Sequence, residues 1–166
     1  VIAGALSPSE GQVRYQADDK QPAPGNPVNS DTIYLHLSVA APYLDIIEEM
    51  TLQEFLHFHR QFKPLLPSVT IPEIIALTGL ENATHKQIRH FSSGMKQRVK
   101  LAQSFFSDTP VLLLDEPCTN LDADGFALYQ ELVAEYCKGR LVIISSNDPA
   151  EYSFCREVIR IGDYKE

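Results

Sequence analysis

An α/β fold with a parallel sheet is predicted, and three observations in the sequence predict it. Residues 111–115 and 141–145 are short apolar runs, the pattern of strands buried on both faces. Between them Phe126, Tyr129, Val133 and Tyr136 recur at helical spacing, so strand, helix and strand follow one another. A helical crossover of this kind joins parallel neighbours of one sheet. The length, 166 residues, fits one domain around one core.

Residues 1–6 are apolar and small and end in the turn cluster Ser7-Pro8-Ser9-Glu10-Gly11, which stops a helix or opens a hairpin. Val13 and Tyr15 alternate with polar residues as in a short strand. From 16 to 31 the residues Pro22, Pro24, Gly25 and Pro27 among polar neighbours read as an exposed connection. Ile33, Leu35, Leu37 and Val39 then alternate as a half-buried strand. Thr51 and Glu54 form a capping-box pair ahead of a helix over 51–63, which Pro64 and Pro67 close. A shorter helix is expected over 72–78, with Gly79 ending it. Ser92 or Ser93 can cap the next helix, whose Met95, Val99, Ala102 and Phe106 share one face and which ends near 108–110. The strand, helix and strand already described follow, with Gly139 ending the helix.

Composition narrows the function. Apolar residues make up 44% and charged residues 22%, so the chain can bury a core and is not a disordered one. A net charge of -8 opposes attraction to nucleic acid or anionic lipid, and no nucleic-acid partner is expected. No apolar run approaches the ~20 residues that cross a bilayer. Cys118, Cys137 and Cys155 are odd in number and contain no CxxC pair, which fits a reducing compartment. His57 and His59 are two apart on a predicted helix, on faces that cannot share a metal.

The chemistry concentrates where Val111-Leu-Leu-Leu-Asp115-Glu116-Pro117 delivers two adjacent carboxylates to the carboxyl end of a predicted parallel strand. Open α/β sheets bind ligands at that edge. There one carboxylate can hold Mg²⁺ through water while its neighbour polarises an attacking water. Taken alone, the pair also suits a solvated acidic turn. It is not alone: Phe91-Ser92-Ser93-Gly94-Met95-Lys96-Gln97-Arg98 lies upstream and Thr119-Asn120-Leu121-Asp122 follows.

In that order and spacing these segments resemble the ATP-binding cassette (ABC) ATPases, whose LSGGQ-x-QR signature, helix, strand, DEP and downstream LD run in the same sequence. The resemblance extends to Ser145-Ser146-Asn147-Asp148, where the family has a strand followed by His-Asp, and back to residues 1–13. It implies a P-loop NTPase-like parallel sheet with a helical signature subdomain, about residues 43–95, inserted within an α/β core that spans 1–166. It implies ATP and Mg²⁺ as cofactors, with Asp115 on Mg²⁺ through water, Glu116 as general base, and Asn147 in place of the catalytic histidine. Ser92, Ser93 and Gly94 would meet the γ-phosphate held by a partner subunit, and Asp122 would cross the dimer interface. The implied partners are a second ABC ATPase subunit and a transmembrane permease, on the inner face of the cell membrane. Gln97 and Arg98 match the family by type, and equally suit a solvated helix face pairing with acids.

Five departures qualify the resemblance. Ser93 and Met95 stand where the signature has glycine and glutamine, and Pro42 falls near a glutamine that senses Mg²⁺. Asn147 can donate a hydrogen bond but carries no positive charge, so slower hydrolysis is expected. No G-x-x-x-x-G-K-[ST] occurs in the 166 residues. The expectation is therefore a transporter ATPase truncated near the end of its P-loop helix, lacking the N-terminal strands and inactive by itself. A degenerate module that binds nucleotide without turnover, and a soluble non-transport ABC protein, remain alternatives.

Overall fold

The computed structural model describes residues 1–15 and 31–164. Three parallel strands form the sheet in the order β1 (Leu37–Ala40), β2 (Val111–Asp115), β3 (Leu141–Ser145). The register sets Leu37 beside Val111 and Ala40 beside Leu114, then Val111 beside Leu141 and Asp115 beside Ser145. Between β1 and β2 lie α1 (Leu52–Phe62), α2 (Ile71–Leu77) and α3 (Ser93–Phe105). Helix α4 (Ala123–Tyr136) crosses from β2 to β3, and the short α5 (Pro149–Tyr152) follows β3.

The helices start and stop where local chemistry directs. Thr51 accepts the Glu54 N–H while the Glu54 carboxylate accepts the Thr51 N–H and hydroxyl, each at 2.8 Å, and these last two bonds hold that carboxyl below its usual range. Thr70 and Glu73 repeat the device at α2, and Gly79, with φ 66°, turns the chain out of it. Ser92 caps α3, and Gly139, with φ 75°, makes the turn between α4 and β3.

Because side chains alternate across a strand, Ser38, Ala40, Leu112, Leu114, Val142 and Ile144 share one face of the sheet. Leu112 and Leu114 are buried there in the core with Phe105 of α3 and Leu128, Tyr129 and Leu132 of α4. The amino-terminal edge is stapled by Arg140, which donates to the carbonyl oxygens of Phe105 (2.7 Å) and Thr109 (2.8 Å) and to the Thr109 hydroxyl (2.9 Å). Close by, Lys63 donates to the Leu37 carbonyl oxygen at 2.6 Å, and His59 Nε2 lies 2.9 Å from the Ser107 hydroxyl. Burial, with the Lys63 charge adding to it, pushes the His59 imidazole down to about 4.

Three expectations are corrected. No strand forms over 13–15; residues 1–14 make turns and bends, with Gly4 and Gly11 at positive φ. The alternation over 33–39 resolves into a 3-10 turn, Ile33–Leu35, and a strand that begins only at Leu37 and buries Ser38 and Ala40 as well. Strand β3 is half-exposed rather than buried, because β2 is its one neighbour among the described strands and Leu141 is 59% exposed. The connection expected over 16–31 lies outside the described residues except for Asp31. All three cysteines are free thiols, and no helix among the described residues is long and apolar enough to cross a membrane.

Candidate functional site

The carboxyl edge of the sheet positions the two acids. Asp115 closes β2 beside Ser145, and Glu116, the next residue, takes a left-handed conformation with φ 41°. A non-glycine residue there costs roughly 1–2 kcal/mol, so the surroundings must hold it. The Glu116 N–H donates to the Ser145 carbonyl oxygen at 2.8 Å, and its own carbonyl oxygen accepts the Thr119 N–H at 3.1 Å. The Thr119 hydroxyl donates to Glu116 Oε2 at 3.4 Å. Asn147 stands exposed two residues past the end of β3, on the same edge.

Ser92, Ser93, Gly94 and Asp122 gather at a second place. Ser92 caps α3 by accepting the Met95 N–H at 3.2 Å, and Asp122 caps α4 by accepting the Gly125 N–H at 2.8 Å. That bond, followed by the Arg98 guanidinium 3.3 Å away, holds the Asp122 carboxyl below its ordinary range. A Cβ on Gly94 would lie 2.9 Å from the Asn120 carbonyl oxygen, so only glycine lets the α3 turn approach the 119–122 loop this closely. The two segments line a cleft of about 330 Å³ together with Asn82, Met95 and Arg98. Asp115, Glu116 and Asn147 are not part of its lining. The structure therefore assembles the candidate residues into two groups, joined through the 116–122 loop.

Two residues in this region, Tyr43 and Glu151, escaped the sequence reading of the site, and one of the two readings left open for Gln97 is corrected. Tyr43, one residue past Pro42, hydrogen-bonds the Asp115 carboxylate, which raises its phenol above the usual value. The turn that carries it is held by Lys100, whose ammonium donates to the Pro42 carbonyl oxygen. Gln97 is no solvated helix residue: it is buried and its Nε2 donates to the Pro117 carbonyl oxygen at 2.7 Å. Arg98 does pair with an acid, Asp122, and donates to the Thr78 carbonyl oxygen at 3.3 Å. Glu151 of α5 accepts the Cys118 N–H at 2.9 Å. Gln97 was legible only as a match to the signature by type, and Tyr43 and Glu151 offered no signal.

The donor set fits a hard divalent ion that keeps most of its water. One strand-end carboxylate with a second next to it suits Mg²⁺, which takes one or two carboxylates alongside phosphate oxygens. Among the described residues no cluster of three His, Cys, Asp or Glu could hold a metal unaided.

The family described as ABC transporter matches residues 1–119. ATP-binding cassette sub-family A member 7 of Mus musculus is 28% identical over 156 residues, which are 91% of this chain and 7% of that protein. The cytochrome c biogenesis ATP-binding export protein CcmA of Rhodopseudomonas palustris (strain HaA2) is 28% identical over 151 residues, 90% of this chain and 70% of that one. Among solved structures, the ATP binding subunit of an ABC transporter superposes with a TM-score of 0.65 at 25% identity, over 75% of this chain and 53% of that chain. The chain thus spans a small part of the mammalian relative and about half of the solved subunit. The mixed α/β fold with its parallel sheet is that of the ABC ATP-binding subunit, and with most of its residues matching that family the chain belongs to the ABC transporter family.

Proposed function

We propose that the chain is the ATP-hydrolysing part of an ABC transporter, working as a dimer with a second ATPase subunit and docked on a transmembrane permease at the inner face of the cell membrane. The observation that carries this reading is Asp115 and Glu116 at the end of β2, in one fastened loop with Asp122, which abuts the turn of Ser92, Ser93 and Gly94. Asp115, with the Tyr43 phenol on it, would hold Mg²⁺ through water. Bound there, that ion would supply charge neutralisation for the β- and γ-phosphate oxygens. Glu116 accepts the proton of the attacking water as the water oxygen bonds to phosphorus and ADP departs. Asn147 donates a hydrogen bond to the γ-phosphate without a charge. Ser92, with its hydroxyl hydrogen still available, and the N–H groups of Ser93 and Gly94 at the start of α3 face a nucleotide carried by the partner subunit. The helical part, about residues 43–95, is the region that distinguishes such subunits from simpler sheets, and its substrate-side partner is the permease.

The test is Glu116→Gln in the full-length protein, followed by steady-state hydrolysis of Mg-ATP and by ATP binding. Loss of at least about 100-fold in kcat with ATP still bound is expected, since an amide keeps the shape and cannot take the proton. A variant that keeps more than about a tenth of the parent rate excludes Glu116 as the base.

A further inference from the structure

Glu151 is buried, 5% exposed, and is the one acid among the buried polar residues described. Taking a carboxylate out of water is costly, so an acid in such a place needs compensating hydrogen bonds. Its Oε1 has one, the Cys118 N–H at 2.9 Å, whereas Oε2 is buried without a partner. The backbone of Glu151 is fixed as well, since the Tyr129 hydroxyl of α4 donates to its carbonyl oxygen at 2.7 Å.

The position of this contact matters more than its strength. The ladder between β2 and β3 ends at Asp115 and Ser145. Beyond it the Glu116 N–H still reaches the Ser145 carbonyl oxygen, Pro117 is held by Gln97, and Cys118 by Glu151. A side chain thus continues, one rung further, a ladder that the backbones have abandoned. The residue between these fastenings is Glu116, with its positive φ. Gln97 on Pro117 and Thr119 on Glu116 share the downstream restraint, and the bond from Cys118 to Glu151 is the part of it that ties this loop to the segment after β3, so releasing Cys118 loosens the backbone that aims the Glu116 carboxylate.

We infer that Glu151 is a positioning residue for Glu116: by accepting the Cys118 N–H it ties the segment after Asn147 to the loop after β2 and holds the base in its left-handed conformation. This rests on the reading of Glu116 as the base. One oxygen suffices for the task, because one N–H needs one acceptor. The charge of Glu151 is not what acts.

The experiment compares Glu151→Gln with Glu151→Met in the full-length protein; both keep the volume, and only the first keeps an acceptor. Measured are kcat and KM for Mg-ATP, the thermal midpoint, and hydrogen exchange of the Cys118 amide. Glu151→Met should lower kcat roughly 10- to 100-fold, the loss that misplacing a catalytic group brings, with KM within about two-fold. Its Cys118 amide should exchange faster than the parent's. Glu151→Gln should keep kcat within about three-fold and protect that amide. If Glu151→Met does not fold, Glu151→Asp, which keeps the charge and withdraws the acceptor by one methylene, should show the same loss. A folded Glu151→Met with parental kcat, or a Glu151→Gln as impaired as Glu151→Met, overturns the inference. Where the parent turns over ATP and Glu116→Gln does not, that failure belongs to Glu151 alone; a parent without turnover overturns the hydrolase reading and this one together.

Discussion

The two faces of the sheet are made of similar residues and have different fates. Leu112 and Leu114 lie at or near zero exposure beneath α3 and α4, while Val111 and Leu113 of the same strand, pointing the other way, are half-buried. Strand β3 shows the contrast most openly, with Val142 and Ile144 packed on the core and Leu141 59% exposed. Apolar character decides that a segment pairs as a strand. Which neighbours lie over it decides what it contributes to stability.

The widest gap is expected between Leu112→Ala and Leu141→Ala. Truncating Leu112 leaves a cavity in a filled layer and should cost about 3 kcal/mol, whereas Leu141→Ala should stay within about 0.5 kcal/mol, both read from urea unfolding. Equal losses would mean that the two faces are equally covered in solution.

A second measurement probes the amino-terminal edge of the sheet through pH. The His59 imidazole titrates at about 4 when folded, against an ordinary 6.5 when unfolded. Between those values the unfolded chain binds more protons, so stability is complete above about pH 6.5 and falls as pH drops toward 4. Unfolding free energy should decline by about 2 kcal/mol between pH 7 and pH 5, and His59→Gln should flatten that slope. A slope unchanged in the variant would show the imidazole to be solvated.

The smallest effect concerns the covered face. Tyr129→Phe retains the ring against Phe105 and loses the hydrogen bond to Glu151, at a cost of about 1 kcal/mol by the same unfolding assay. A neutral result would mean that water replaces the hydroxyl and that the face is less dry than its packing indicates.

The same contrast separates what could be read in the sequence from what could not. Helices α1 and α2 announce themselves because the Thr51–Glu54 capping box and the Gly79 stop act within a few residues, while the Thr70–Glu73 box of α2 went unread. Asp115, Glu116 and Ser92 were legible as a spaced pattern tied to a strand end and a helix start. The burial of β3 was not, because a run such as 141–145 looks the same on an edge as in the middle of a sheet. The alternation at Ile33 and Leu35 misled because one 3-10 turn also places two apolar residues two apart. Gln97, Tyr43 and Glu151 carry no local signal of their roles, since their partners are Pro117, Asp115 and Cys118, distant in the chain.

The pairing of Leu37 with Val111 makes residues 41–110, with α1, α2 and α3 in them, a single closed excursion from the sheet. The entropy of closing such an excursion grows only with the logarithm of its length, so doubling it would cost about 0.6 kcal/mol. The sheet therefore sets almost no limit on how large the helical part becomes. What limits it is its own ability to bury Ile74, Ile88 and Phe91, so the part around α2 can be lengthened, shortened or reshaped toward a new partner while α3, tied to the 116–122 loop through Gln97 and Arg98, keeps the edge carrying Asp115 and Glu116 where it is.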